Sequence, residues 1–184
     1  MNSLEQYFEN ETRLLTDLAL ERLGQVAALL ERARVEGRRV FLFGNGGSAA
    51  TASHFACDLG KGTVAPDRPR FKVIALHDMS TFSAYANDMG YDSVFAEPLL
   101  SLAERGDLAI GFSVSGNSAN VLRAMETAGA RGLVTVGFTG FGGGRLKDCV
   151  AVHVNVPSPS FGHVEDIHLA MTHALCDWLK IKHE

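Results

Sequence analysis

Val40-Phe41-Leu42-Phe43-Gly44-Asn45-Gly46-Gly47-Ser48 sets four consecutive apolar residues against a glycine-rich turn, and a stretch of helical composition opens immediately after it. A short apolar run without alternation is the pattern of a strand buried on both faces, as in a parallel sheet covered by helices. The pattern recurs along the chain. Apolar runs at residues 71–76, 108–113, 133–138 and 150–156 alternate with helical stretches at 49–59, 79–87, 94–102, 119–130 and 163–181. Gly37, Gly90, Gly106 and Gly132 stand where helices are expected to end. Alternation of this kind predicts an α/β fold: a doubly wound, five-stranded parallel sheet with helices on both faces.

Ahead of the first run, residues 4–36 keep Leu14, Leu18, Leu23, Val26, Leu29 and Leu30 at helical spacing between Glu and Arg. This predicts a helical arm over residues 1–37, formed by one long or two shorter amphipathic helices, joined to an α/β core over 38–184. With 184 residues, one domain is expected. The arm either covers its own sheet or packs against a sister subunit; periodicity alone allows both.

A net charge of −4 with the two signs interspersed offers no basic face for nucleic acid. No segment reaches the roughly 20 apolar residues needed to cross a bilayer. The first residues carry Glu5, Glu9 and Glu11 where a secretory signal has a basic region, so the cytoplasm is the expected location. Cys57, Cys149 and Cys176 have neither metal-binding nor redox spacing and are expected to be buried thiols.

In open α/β sheets ligands bind beyond the carboxyl ends of the strands, so the turns there hold the candidate site. Gly44-Asn45-Gly46-Gly47-Ser48 lets the backbone approach an anion, and the free amides of the next helix point at it. It is neither GxGxxG nor GxxxxGK, which removes the dinucleotide and P-loop readings. After the third strand, Ser113, Ser115 and Ser118 in Ser113-Val114-Ser115-Gly116-Asn117-Ser118 supply hydroxyl donors for a phosphate monoester, and Ser118 also suits a helix cap. His54 and Asp58 are spaced i, i+4 on the helix after the first turn, while Glu165 and His173 share a face of the last helix. Two imidazoles and two carboxylates suit either a zinc ion or direct proton transfer.

At these two turns the sequence resembles the sugar isomerase (SIS) family. Residues 45–55, 86–90 and 113–121 are most similar to its phosphoheptose (sedoheptulose-7-phosphate) isomerases. The resemblance implies a SIS-type fold and a phosphate held by Asn45, Gly46, Gly47, Ser48, Ser113, Ser115 and Ser118. It implies sugar contacts from Asn87 and Asp88, which the residues alone also allow as a helix-ending turn. It assigns catalysis to Asp58 and His173, and metal binding to His54, Asp58, Glu165 and His173. No organic cofactor is implied; Zn2+ is. The implied partners are a small sugar phosphate and other copies of the chain, in a homotetramer, and the implied setting is heptose synthesis for lipopolysaccharide. The family usually has Glu at position 58, Gln at 165 and Thr at 114.

The expected activity is interconversion of a ketose and an aldose phosphate. A non-catalytic regulator of the same fold that binds a partner protein, resembling a replication-initiation regulator, is the alternative; that relative lacks the carboxylate and histidine that Asp58 and His173 provide. Sugar-sensing transcription regulators carry a helix-turn-helix domain for which the residues ahead of the first strand are too few.

Overall fold

The computed structural model describes residues 3–181. The arm is two helices, α1 (Leu4–Thr16) and α2 (Leu20–Val35). Ser3 starts α1 by accepting a hydrogen bond from the Gln6 amide at 3.2 Å, a standard capping arrangement. α2 buries Leu23, Val26, Ala27 and Leu30, whereas α1 buries none of its residues.

The strands are β1 (Arg39–Gly44), β2 (Lys72–Ala75), β3 (Leu108–Ser113), β4 (Val134–Gly140) and β5 (Val152–Val156), in the order β2-β1-β3-β4-β5 with every pair parallel. The helices of the core are α3 (Gly47–Cys57), α4 (Met79–Met89), α5 (Ala96–Leu102), α6 (Ala119–Ala130) and α7 (Phe161–Ile181). Strand side chains alternate between the faces, and β1 shows what each face meets. Val40 and Leu42 join the layer built by α2, α3 and α7, and Phe41 and Phe43 join the layer built by α5 and α6. Burial on both faces explains why β1 and β3 read as unbroken apolar runs.

Two expected helices differ in detail. The stretch expected at 49–59 starts two residues earlier and gives way at Asp58 to a five-residue π turn, Asp58–Gly62. The stretch expected at 94–102 is a 3-10 turn, Tyr91–Ser93, followed by the shorter α5. The glycines at 37, 90, 106 and 132 have φ between 64° and 90°, the left-handed region a helix end or tight turn needs.

From β1 the chain moves outward to β2, then crosses back over β1 to β3. The winding therefore reverses between β1 and β3, which opens a crevice at their carboxyl ends. Both serine- and glycine-rich turns leave the sheet there.

Candidate active site

Gly46 adopts φ 55° and ψ −123°, a conformation that penalises any side chain, and this twist delivers Gly47 and Ser48 directly into the first turn of α3. The turn is tied to its counterpart after β3. The Asn45 and Asn120 amides exchange two hydrogen bonds, each 2.9 Å, and Tyr91 donates its hydroxyl to Asn45 Oδ1 at 2.9 Å. The Asn120 side chain also accepts from the Val121 amide. From the β2 side, His77 Nε2 lies 3.1 Å from the Gly44 carbonyl and its Nδ1 3.1 Å from Ser53 Oγ. The carbonyl requires a proton on Nε2, so Ser53 donates to Nδ1. Burial holds the His77 pKa below its usual value, which fits that neutral tautomer.

Around the crevice, Asn45, Ser48, Ser113, Ser115 and Ser118 line a cavity of about 110 Å³. The Ser113 and Ser118 hydroxyls lie 3.0 Å apart, and Ser115 Oγ accepts from the Asn117 amide. Among the described residues no Lys or Arg lines this cavity. Hydroxyls and helix-start amides are thus the donors this cavity could offer an anion. Ser118 makes no side-chain cap bond to α6; its hydroxyl meets that of Ser113 instead.

Further along α3 lies a second group. Asp58 Oδ2 is 3.4 Å from His54 Nε2 and 3.7 Å from His173 Nε2, and the two imidazole nitrogens are 3.4 Å apart. Helical spacing puts His54 and Asp58 on one face. The π turn that begins at Asp58 is a local widening of the kind that re-aims side chains at functional sites. Aspartate here, short as it is, reaches both rings. The three side chains are between a quarter and a half exposed, so the group is open to solvent in the single chain.

Glu165 does not join them, which corrects the four-residue set expected from the sequence. Its carboxylate lies over Gly47 and lines the serine cavity. Residues i and i+8 share a helix face but stand about 12 Å apart along the axis, and that offset leaves Glu165 at the serine cavity and His173 beside His54 and Asp58. Asn87 and Asp88 sit exposed in the last turn of α4, bonded to each other at 2.7 Å, and line neither the serine cavity nor the neighbouring hollow at His77.

Other polar side chains are held in structural contacts. His168 is buried, bonds the Thr139 carbonyl, and has its pKa pushed down to about 4 by desolvation. His153 meets the Thr139 hydroxyl at 2.7 Å. Arg68 pairs with Glu31 and donates to the Leu179 carbonyl, away from the cavity. Of the cysteines only Cys176 is buried, its thiol pushed up to about 12; Cys57 is exposed, contrary to expectation, because it lies on the outer face of α3. Sequence reading missed Asn120, Tyr91 and His77; Asn120, two residues beyond Ser118, was the one within reach of the motif.

A family model described as SIS domain matches residues 6–140. Phosphoheptose isomerase of Mycobacterium tuberculosis is 41% identical over 169 residues, covering 91% of this chain and 86% of that protein. The chain belongs to the SIS family, in its phosphoheptose isomerase branch. Phosphoheptose isomerase of Desulfovibrio desulfuricans is 40% identical over 173 residues, 94% of this chain and 78% of that one. The solved structure of phosphoheptose isomerase from Neisseria gonorrhoeae superposes with a TM-score of 0.89 at 31% identity, over 96% of each chain. At the two ends of α3 the structure sets a serine-lined corner and a His–Asp–His group.

Proposed function

We propose that this SIS-family isomerase converts sedoheptulose 7-phosphate to D-glycero-D-manno-heptose 7-phosphate, with Asp58 and His173 moving the protons. The observation that carries the reading is the meeting of His54, Asp58 and His173 within 3.4–3.7 Å, from two helices, at one helix length from the serine corner. Seven to eleven residues of α3 separate Gly47 from His54 and Asp58, roughly 10–16 Å of rise. An extended seven-carbon sugar phosphate spans a distance of that order, so its phosphate and its carbonyl end reach the two groups together.

Ser48, Ser113, Ser115 and Ser118 would hold the phosphate with hydroxyl and amide donors. At the other end one group removes the proton from C1 while the other protonates the C2 carbonyl oxygen, giving an enediol; returning a proton to C2 and removing that of the C1 hydroxyl yields the aldose. A carboxylate and an imidazole at hydrogen-bond reach of each other suit this exchange. Phosphate binding fixes the chain so that the reacting carbons are presented in one geometry.

The same three side chains fit a zinc ion. With Zn–N and Zn–O bonds of about 2.0–2.1 Å, the ligand atoms of a tetrahedral site lie about 3.3 Å from each other, close to the separations found here. His54, Asp58 and His173 would be its ligands, leaving a position for substrate; bound there, the ion would act as a Lewis acid toward the sugar oxygens. Association of copies belongs to the same reading. It is supported by α1, which buries nothing while exposing Leu4 and Phe8, and by the openness of the acid–base group. A tetramer in the cytoplasm, acting in heptose synthesis for lipopolysaccharide, completes the proposal.

Purified protein mixed with sedoheptulose 7-phosphate, with and without a chelator, tests it. Aldose formation is expected, and loss of activity on chelation would assign the three ligands to metal. No turnover of C5 to C7 ketose phosphates under either condition would defeat the proposal.

A further inference from the structure

Among the described residues the serine cavity has no cation of its own, and the one charged side chain lining it is the Glu165 carboxylate. On the other side of the glycine turn lies a second hollow, of about 190 Å³, which holds His77 and, among the described residues, no Lys, Arg, Asp or Glu. Asn45 lines both spaces, so the turn is the wall between them. His77 is bonded at each ring nitrogen, Nε2 to the Gly44 carbonyl and Nδ1 to the Ser53 hydroxyl, both at 3.1 Å. A carbonyl only accepts, so Nε2 keeps its proton throughout. A hydroxyl donates or accepts, so Ser53 can turn its O–H away and leave Nδ1 a partner whether that nitrogen is bare or protonated. A backbone amide in the same place would forbid the charged ring.

We infer that His77 takes a proton from solvent when a dianion enters the serine corner, and so supplies the positive charge the corner lacks. This deepens the isomerase reading and rests on its placement of the phosphate in that corner. Few other charges compete at the ring. From α4, Asp78 is engaged as the helix cap, accepting from the Thr81 amide at 2.8 Å. The Tyr91 hydroxyl is donated to Asn45, and the Phe95 ring stands 5.8 Å away, a neighbour that a cationic ring tolerates. Glu165 lies on the far side of the turn, over Gly47. In the empty protein burial favours the neutral ring and holds its pKa below 6.5. A bound dianion favours the charged ring and raises that pKa. Proton uptake is therefore largest between the two values, and the anion binds more tightly as pH falls through that window. A rise of about one unit across the turn corresponds to about tenfold in affinity.

Sulfate is the probe, because it stays a dianion from about pH 5.5 to 8 and brings no proton of its own, whereas a histidine titrates in that range. Calorimetric titration of the full chain in buffers of different ionisation enthalpy counts the protons taken up. Wild type is expected to gain about half a proton near pH 6 and to bind sulfate about tenfold more tightly at the acid end than at the alkaline end. His77→Gln keeps a donor for the Gly44 carbonyl but cannot be protonated, so it should lose that share of the uptake and of the pH dependence. Whatever His54 and His173 contribute at the other end of α3 is common to both proteins. Equal uptake in the two proteins overturns the inference; uptake kept in His77→Gln but lost in Glu165→Gln overturns it by putting the proton on the carboxylate. The wild-type ring gives a second measurement: by NMR, His77 should titrate at a higher pH with sulfate than without, and a midpoint that sulfate does not move overturns the inference. Proton uptake at His77 in a protein that turns over no ketose phosphate would defeat the isomerase reading alone. An active isomerase that binds sulfate without taking up a proton would defeat this inference alone.

Discussion

The two ends of α3 are built on opposite plans. At its start, the turn around Asn45 is held by the paired asparagine amides, by Tyr91, and by His77 beneath the Gly44 carbonyl, so the corner has its shape before any ligand arrives. At its end, His54 and Asp58 meet His173 of α7, all three stand partly in solvent, and α3 loosens into a π turn at Asp58. Rigid preorganisation lowers the cost of ordering a bound group, which suits the end proposed to anchor the substrate. The end proposed to react would gain from being closed off from water, and the single chain leaves it open.

The largest effect is expected at the open end. His173→Ala and Asp58→Asn should each lower kcat by about 10²–10⁴ while circular dichroism and thermal unfolding stay near wild type, since neither side chain is buried in the core. Near-full activity in both variants would break the contrast between anchoring and reacting ends. Next comes His168, which fixes α7 to β4 from within the core. Its folded pKa of about 4 lies below the ordinary 6.5, so the folded state prefers the neutral ring. Its contribution is present above pH 6.5 and is lost as pH falls toward 4, by up to about 3 kcal/mol. Denaturant unfolding across that window should show a smaller acid loss in His168→Gln.

Smaller effects probe the rigid end. Gly46→Ala forces a side chain into a left-handed conformation and should cost roughly 1–2 kcal/mol of stability, with sugar-phosphate affinity falling in step. Ser118→Ala removes one hydroxyl of the corner and should raise KM about tenfold with kcat less changed, because the serine touches the anchored group and not the reacting carbons. If kcat fell and KM did not, the assignment of anchor and reaction to separate ends would be reversed.

Much of this was legible from residue order. β1 and β3 read directly as apolar runs because both faces of each are covered, and β3 begins and ends where its pattern does. The i, i+4 spacing placed His54 with Asp58. What residue order hid depends on distance along an axis or across the fold. The face shared by Glu165 and His173 was visible; the separation that sends Glu165 to Gly47 instead followed from eight residues of helix rise. His77 and Tyr91 reach the corner from segments beyond β1, through contacts no local pattern encodes.

The asparagine clasp joins residues 75 positions apart, with β2, α4, α5 and β3 all lying between them. A nascent chain that has emerged only as far as α5 holds half of the corner proposed for the phosphate. Closing so long a loop is among the slower contacts a chain makes. On the proposed reading, anion binding at the corner requires the sheet to be assembled through its third strand, so a bound substrate would reward completed folding.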